Sequence, residues 1–133
     1  APEKIGGLGA TYQAAWGDID NDGDLDLCTA GKLFLNENRE GNWITLSLVG
    51  DGKKVNRSAI GAIARIKIGE RVLTRHVETG TGEGNQNDIR LHFGLGNHKE
   101  SVTAEITWPG GVKQTVKSLA IKKQHRIEFQ AGN

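Results

Sequence analysis

Along most of this chain, apolar and polar residues alternate with a period of two. Trp43-Ile44-Thr45-Leu46-Ser47-Leu48-Val49 is one such run, Ala62-Ile63-Ala64-Arg65-Ile66-Lys67-Ile68 a second and Val102-Thr103-Ala104-Glu105-Ile106-Thr107-Trp108 a third. Successive side chains of an extended backbone point to opposite faces, so this alternation predicts strands with one buried face. Weaker runs at 72–78, 89–93, 113–117 and 125–129 add further strands. Turn chemistry separates them: Gly50-Asp51-Gly52, Gly69-Glu70, Gly94-Leu95-Gly96-Asn97 and Pro109-Gly110-Gly111. Short strands punctuated about every ten residues predict an all-β antiparallel sandwich. No segment carries a helical period for longer than about two turns; residues 118–123 make a brief turn at most.

Two segments break the alternation. Thr79-Gly80-Thr81-Gly82-Glu83-Gly84-Asn85-Gln86-Asn87-Asp88 is too polar and too glycine-rich for a strand. It is expected to be a loop longer than a hairpin needs, and such loops often carry function. The other is Gly17-Asp18-Ile19-Asp20-Asn21-Asp22-Gly23-Asp24-Leu25-Asp26-Leu27.

Five carboxylates in nine residues repel one another at neutral pH, and a bound cation offsets that repulsion. Calcium takes six to eight oxygens in a flexible geometry. A spacing of two brings alternate side chains around one point when the loop curls, and Gly23 permits the bend. The expected ligands are the side chains of Asp18, Asp20, Asp22 and Asp26 and the main-chain carbonyl of Asp24, with Asn21 holding the turn. An EF-hand does not fit. Its twelfth position needs a bidentate glutamate where this loop has Thr29, and its flanks are helices where Leu25-Asp26-Leu27-Cys28-Thr29 reads as strand. The pattern is instead a nine-residue Asp-x-Asp-x-Asp-Gly-x-x-Asp loop between strands. Magnesium, which keeps more of its water, fits it less well.

The loop Gly17–Leu27 resembles the calcium-binding FG-GAP or VCBS repeats of integrin-type β-propellers. The stretch after the loop resembles the ASPIC/UnbV domain of cartilage acidic protein relatives and bacterial surface proteins. That second resemblance rests on Asn56-Arg57-Ser58-Ala59-Ile60-Gly61-Ala62, Gln86-Asn87-Asp88, Arg90-Leu91-His92-Phe93-Gly94-Leu95-Gly96 and Thr107-Trp108-Pro109-Gly110-Gly111, together with Leu33-Phe34-Leu35-Asn36. It departs at Gly82-Glu83-Gly84-Asn85, where the family usually places an aromatic residue before the glutamine. The resemblance implies a secreted or surface location, calcium dependence and no particular reaction. It divides the chain into a calcium-binding segment, 1–40, packed on a sandwich, 41–133, as one structural unit. A lone propeller repeat cannot bury its own faces. The segment is therefore expected to lend strands to the sandwich, covering Leu25, Leu27, Leu33 and Leu35, with calcium stapling the junction.

Composition narrows the remaining choices. The 133 residues suit one domain, and 36% hydrophobic content supports one modest core. No apolar run approaches a membrane span. The chain contains no methionine, so it reads as a mature N-terminus or, by preference, a piece of a longer protein. Cys28 cannot form an internal disulfide and is expected to be buried and inert. The net charge is +1, yet residues 1–51 hold nine acids against three Lys/Arg, and residues 52–133 hold fourteen Lys/Arg against seven acids. The basic excess is dispersed rather than gathered in a stripe, which argues against nucleic acid.

His76, His92, His98 and His125 lack metal-ligand spacing. Ser58, Ser101 and Ser118 lack a nucleophile elbow, and no two of Glu78, Glu83, Asp88 and Glu105 are paired by the sequence. The chain is therefore read as non-enzymatic. Trp16 is expected beneath the acidic loop and Trp43 in the core. Trp108, also favoured as core, could instead sit exposed at its turn. Glu83, Asn85, Gln86, Asn87, Asp88 and Arg90, with Trp108, form a candidate ligand face for a glycan, acidic polysaccharide included. The alternative is a structural or adhesion cap contacting extracellular protein. In either case the expectation is a monomeric module of a larger chain.

Overall fold

In the computed structural model, which describes residues 13–38 and 40–131, ten strands are joined by turns and loops, and no helix occurs among the described residues. The strands are β1 (Ala14–Gly17), β2 (Asp26–Thr29), β3 (Lys32–Phe34), β4 (Asn42–Val49), β5 (Ile63–Ile68), β6 (Arg71–His76), β7 (Leu91–Gly96), β8 (Val102–Thr107), β9 (Lys113–Leu119) and β10 (Lys123–Glu128). They form three sheets, ordered β1-β2-β3, β10-β4-β7 and β6-β5-β8-β9. The second and third enclose the core, as an all-β sandwich requires. Ile44, Leu46 and Leu48 of β4 and Phe93 of β7 belong to the same buried cluster as Ala64 and Ile66 of β5 and Ala104 and Ile106 of β8. Each is the inward half of an alternating run.

The structure corrects the expectation of a wholly antiparallel sandwich at one pair. β10 lies parallel to β4, from Lys123 beside Ile44 to Glu128 beside Val49. A period of two specifies which face is buried but carries no strand direction. Among the described residues, the sandwich also gains no strands from the N-terminal segment. β1, β2 and β3 pair only with one another. Ala30 (φ 50°) and Gly31 (φ 69°) make the two-residue turn between β2 and β3, with both residues left-handed as a type I′ hairpin demands. Of the four leucines expected to need cover, Leu27 is buried, whereas Leu33 and Leu35 stay exposed.

Two further expectations change, and the two readings of Trp108 are decided for the core. Cys28 is exposed, because alternation along β2 turns it away from the side that buries Leu27 and Thr29. Trp16 is 45% exposed, and the indole beneath the acidic loop is that of Trp43. Trp108, placed in the candidate ligand face, is 1% exposed. Its ring meets Phe129 edge-on at 5.4 Å, and its Nε1 donates to Gln114 Oε1 at 2.9 Å. Being walled in on both counts, Trp108 belongs to the core and offers no surface to a ligand.

Candidate metal centre and its seam

The acidic loop is folded by its own carboxylates. Asp26 at the start of β2 is fully buried. Its Oδ2 accepts the Ile19 N–H and its Oδ1 the Asn36 N–H, both at 2.8 Å, tying the start of the loop to the end of the first sheet. Asp20 Oδ1 accepts the Asp22 N–H at 3.2 Å and Asp22 Oδ1 the Asp24 N–H at 3.0 Å, so the ladder turns by two-residue steps. Gly23 has φ +99°, and a Cβ there would lie 1.9 Å from Trp43 Nε1. The glycine is needed both for the bend and for the close approach to the indole.

This curl brings one carboxylate oxygen from each of Asp18, Asp20 and Asp22 within 4.8 Å of one another. Oxygens around a single calcium, each 2.3–2.6 Å from it, lie within about 5 Å of one another, so the three fit one ion. Asp18 is 5% exposed, and its Oδ1 is buried with no hydrogen-bond partner. A buried carboxylate oxygen left bare is costly unless a cation or donor meets it. The charges also act on Asp24. Burial first, then Asp22, Asp18, Asp26 and Asp20, push its carboxyl above the usual carboxylate range. Asp26, expected as a side-chain ligand, stands outside the three-carboxylate group, both of its oxygens already holding backbone N–H groups.

The loop is seated on the sandwich by Arg90. Its Nη2 donates to the Asp18 carbonyl at 2.8 Å, and its Nη1 donates to Asn21 Oδ1 at 3.0 Å and to Gln124 Oε1 of β10 at 3.1 Å. Its Nε donates to Asp88 Oδ2 at 2.6 Å, and Asp88 Oδ1 accepts the Arg90 N–H at 2.9 Å. The Asp88 hydrogen bond holds the guanidinium above its ordinary pKa, outweighing the effect of its burial. Beside this fork the backbone of β1 pairs with the polar loop: Trp16 N–H donates to Asn87 Oδ1 at 3.0 Å, and Asp88 N–H to the Trp16 carbonyl at 2.9 Å.

The candidate ligand face is thus largely redistributed. Asn87, Asp88 and Arg90 are taken up by the seam. The Glu83 carbonyl accepts Gln13 Nε2, and Asn85 closes its own tight turn through its carbonyl and the Thr81 N–H. Glu83 and Gln86 have exposed side chains. The polar composition of this loop serves hydrogen bonds within the molecule, a use that composition alone could not separate from ligand contacts.

A cleft of about 160 Å³ runs along the seam, lined by Trp16, Asp18, Thr45, Arg75, Glu78 and His92 among others. His92 stacks on Trp43 at 6.3 Å, and burial lowers its pKa below that of an ordinary histidine; Asp18 opposes this shift and Arg75 adds to it. Arg75 Nε donates to the His92 carbonyl at 3.0 Å, and its guanidinium lies over the Phe93 ring. Nothing in the spacing of Arg75 or His92 marks them as neighbours of the acidic loop; β6 and β7 bring them there.

A search of the curated proteins finds no match to this chain. Residues 52–133 match the model of a family described as ASPIC and UnbV. The match covers β5 to β10 together with Asp88 and Arg90, and begins after the acidic loop and the first sheet. On that match, which spans more than half of the sequence, the chain belongs to the ASPIC and UnbV family.

Proposed function

We propose that this chain is a non-catalytic, calcium-stabilised module of a larger secreted or surface protein, in which the ion staples the first sheet to the ASPIC/UnbV sandwich. One observation carries the reading. Asp18 carries a buried, unpartnered Oδ1 and clusters with the carboxylates of Asp20 and Asp22, while its own carbonyl is the acceptor that ties the loop to Arg90. An ion held by these three side chains would fix the residue on which the seam depends. The FG-GAP-like character of the segment belongs to the same reading.

The test is thermal unfolding with calcium and with excess chelator. A ligand at about 100 times its dissociation constant adds about 2.7 kcal/mol. In a chain of this length that corresponds to about 10 °C. An unchanged melting temperature, with Asp18→Asn behaving like the parent, refutes the metal site.

The module's partner in this reading is a glycan. A second reading, a cap contacting protein, is favoured by the exposed apolar side chains Trp16, Ile19, Leu33 and Leu35 in and around the first sheet. It predicts that these four become protected from solvent in the parent protein and stay open in this chain.

A further inference from the structure

The outward face of the four-stranded sheet carries a charge pattern that the core does not require. Ala64, Ile66, Ala104 and Ile106 point inward, so the intervening residues point out. The register then sets them in rows across the strands. Arg65 lies between Thr74 and Glu105, with Thr115 beyond. Ile63 and Thr107 lead to Lys113. Lys67 has Val72 on one side and, by continuation of the register, Thr103 on the other. On β9, Ser118 takes up a left-handed turn (φ 57°) at the irregularity opposite Thr103, and Lys117, just before it, remains exposed at this end of the sheet.

Among the described residues, four cations, Arg65, Lys67, Lys113 and Lys117, therefore share one outward face with a single carboxylate, Glu105. The ion pairs among the described residues, Arg90–Asp88 and Arg126–Glu128, leave all four cations unneutralised. Lys67 and Lys117 stand about 10 Å apart across β8, and Lys113 and Lys117 about 13 Å apart along β9. Threonine hydroxyls at 74, 103, 107 and 115 lie between them. Among the described residues its one ring is the imidazole of His76, at the edge beside Ile63, so it offers no run of rings on which successive bases could stack, which disfavours single-stranded nucleic acid. Its apolar groups are too few for a membrane surface.

We propose that this face binds a linear acidic polysaccharide lying across the strands, its carboxylate or sulfate groups against the four cations and its hydroxyls against the threonines. The proposal rests on the glycan reading of the module, deepens it, and places the contact on four cations that take no part in the calcium seam. Each cation removed should weaken binding about fivefold, the value of one charge contact at 4 Å in water, and the binding should fall as salt is added.

The experiment is calorimetric titration of calcium-loaded, desalted protein with oligogalacturonate, its methyl ester and oligothymidylate. Oligogalacturonate should bind and its uncharged methyl ester should not. Lys113→Gln/Lys117→Gln should weaken binding roughly 25-fold, with the melting temperature and its calcium shift unchanged. Glu105→Gln should tighten binding about fivefold, a gain that a damaged fold does not give. No binding of oligogalacturonate, binding indifferent to both variants, or equal or tighter binding of oligothymidylate each overturns the proposal. The calcium shift, read on the same preparations, reports separately on the staple.

Discussion

Arg90 is the residue on which the seat of the acidic loop most depends. Its side chain is about three-quarters buried, and its guanidinium reaches four acceptors: Asp88 Oδ2, the Asp18 carbonyl, Asn21 Oδ1 and Gln124 Oε1. A hydrogen bond from a charged donor contributes about 1.5–3 kcal/mol, but bonds from one group do not add. Arg90→Ala should therefore cost about 3 kcal/mol, since it also strands Asp88 beside a lost partner. For a chain of this size that lowers the melting temperature by about 11 °C. Arg90→Lys keeps the charge and loses the planar fork, so it should restore less than about a third of the loss. Because one arm of the fork ends on Asp18, calcium affinity should also fall, by about tenfold. The assays are thermal unfolding in chelator, for the seam alone, and calcium titration, for the coupling. Parental values in both would show that the loop holds its own shape and that Arg90 only decorates it.

Substitutions at three other positions probe separate parts of the structure. Gly23→Ala places a methyl into the Trp43 indole at a left-handed backbone, and should destabilise by about 2–4 kcal/mol in urea unfolding. Trp108→Phe should cost about 1 kcal/mol by removing the indole N–H from Gln114 Oε1, which keeps only the longer bond from the Gln130 N–H, and Trp108→Ala about 3–5 kcal/mol by emptying the core beside Phe129. Asp51 accepts the N–H groups of Lys53, Lys54 and Val55, and the Val55 bond most strongly holds its carboxyl below the usual range. Its contribution is therefore present above the ordinary carboxylate pKa and fades as pH falls through the depressed value. Asp51→Asn should melt lower than the parent at neutral pH and converge on it in acid.

How far the sequence disclosed this structure depends on what each signal encodes. The inward residues of β4, β5 and β8 were legible because alternation encodes which face is buried. The curl of the acidic loop was legible because its carboxylates and Gly23 act within a few residues. Partnership was not legible. Arg90 lies sixty-nine residues from Asn21 and seventy-two from Asp18, and no local pattern links them. Asn87 and Asp88 looked like ligand groups because the same amide and carboxylate bind a backbone as readily as a sugar. The exposure of Cys28 followed from strand parity, which the apolar neighbour Leu27 obscured.

The parallel pairing of β10 with β4 bears on biosynthesis. Trp43, which floors the acidic loop, receives the Lys122 N–H on its carbonyl, and Gln124 supplies one of the acceptors for Arg90. The acidic loop is thus seated partly on a strand translated about a hundred residues after it. The nascent acidic loop must wait, unseated, while about a hundred residues emerge, and contacts of such range make for slow folding. Loss of β10 would then unseat the acidic loop, so damage near Lys122 would be felt first about a hundred residues away.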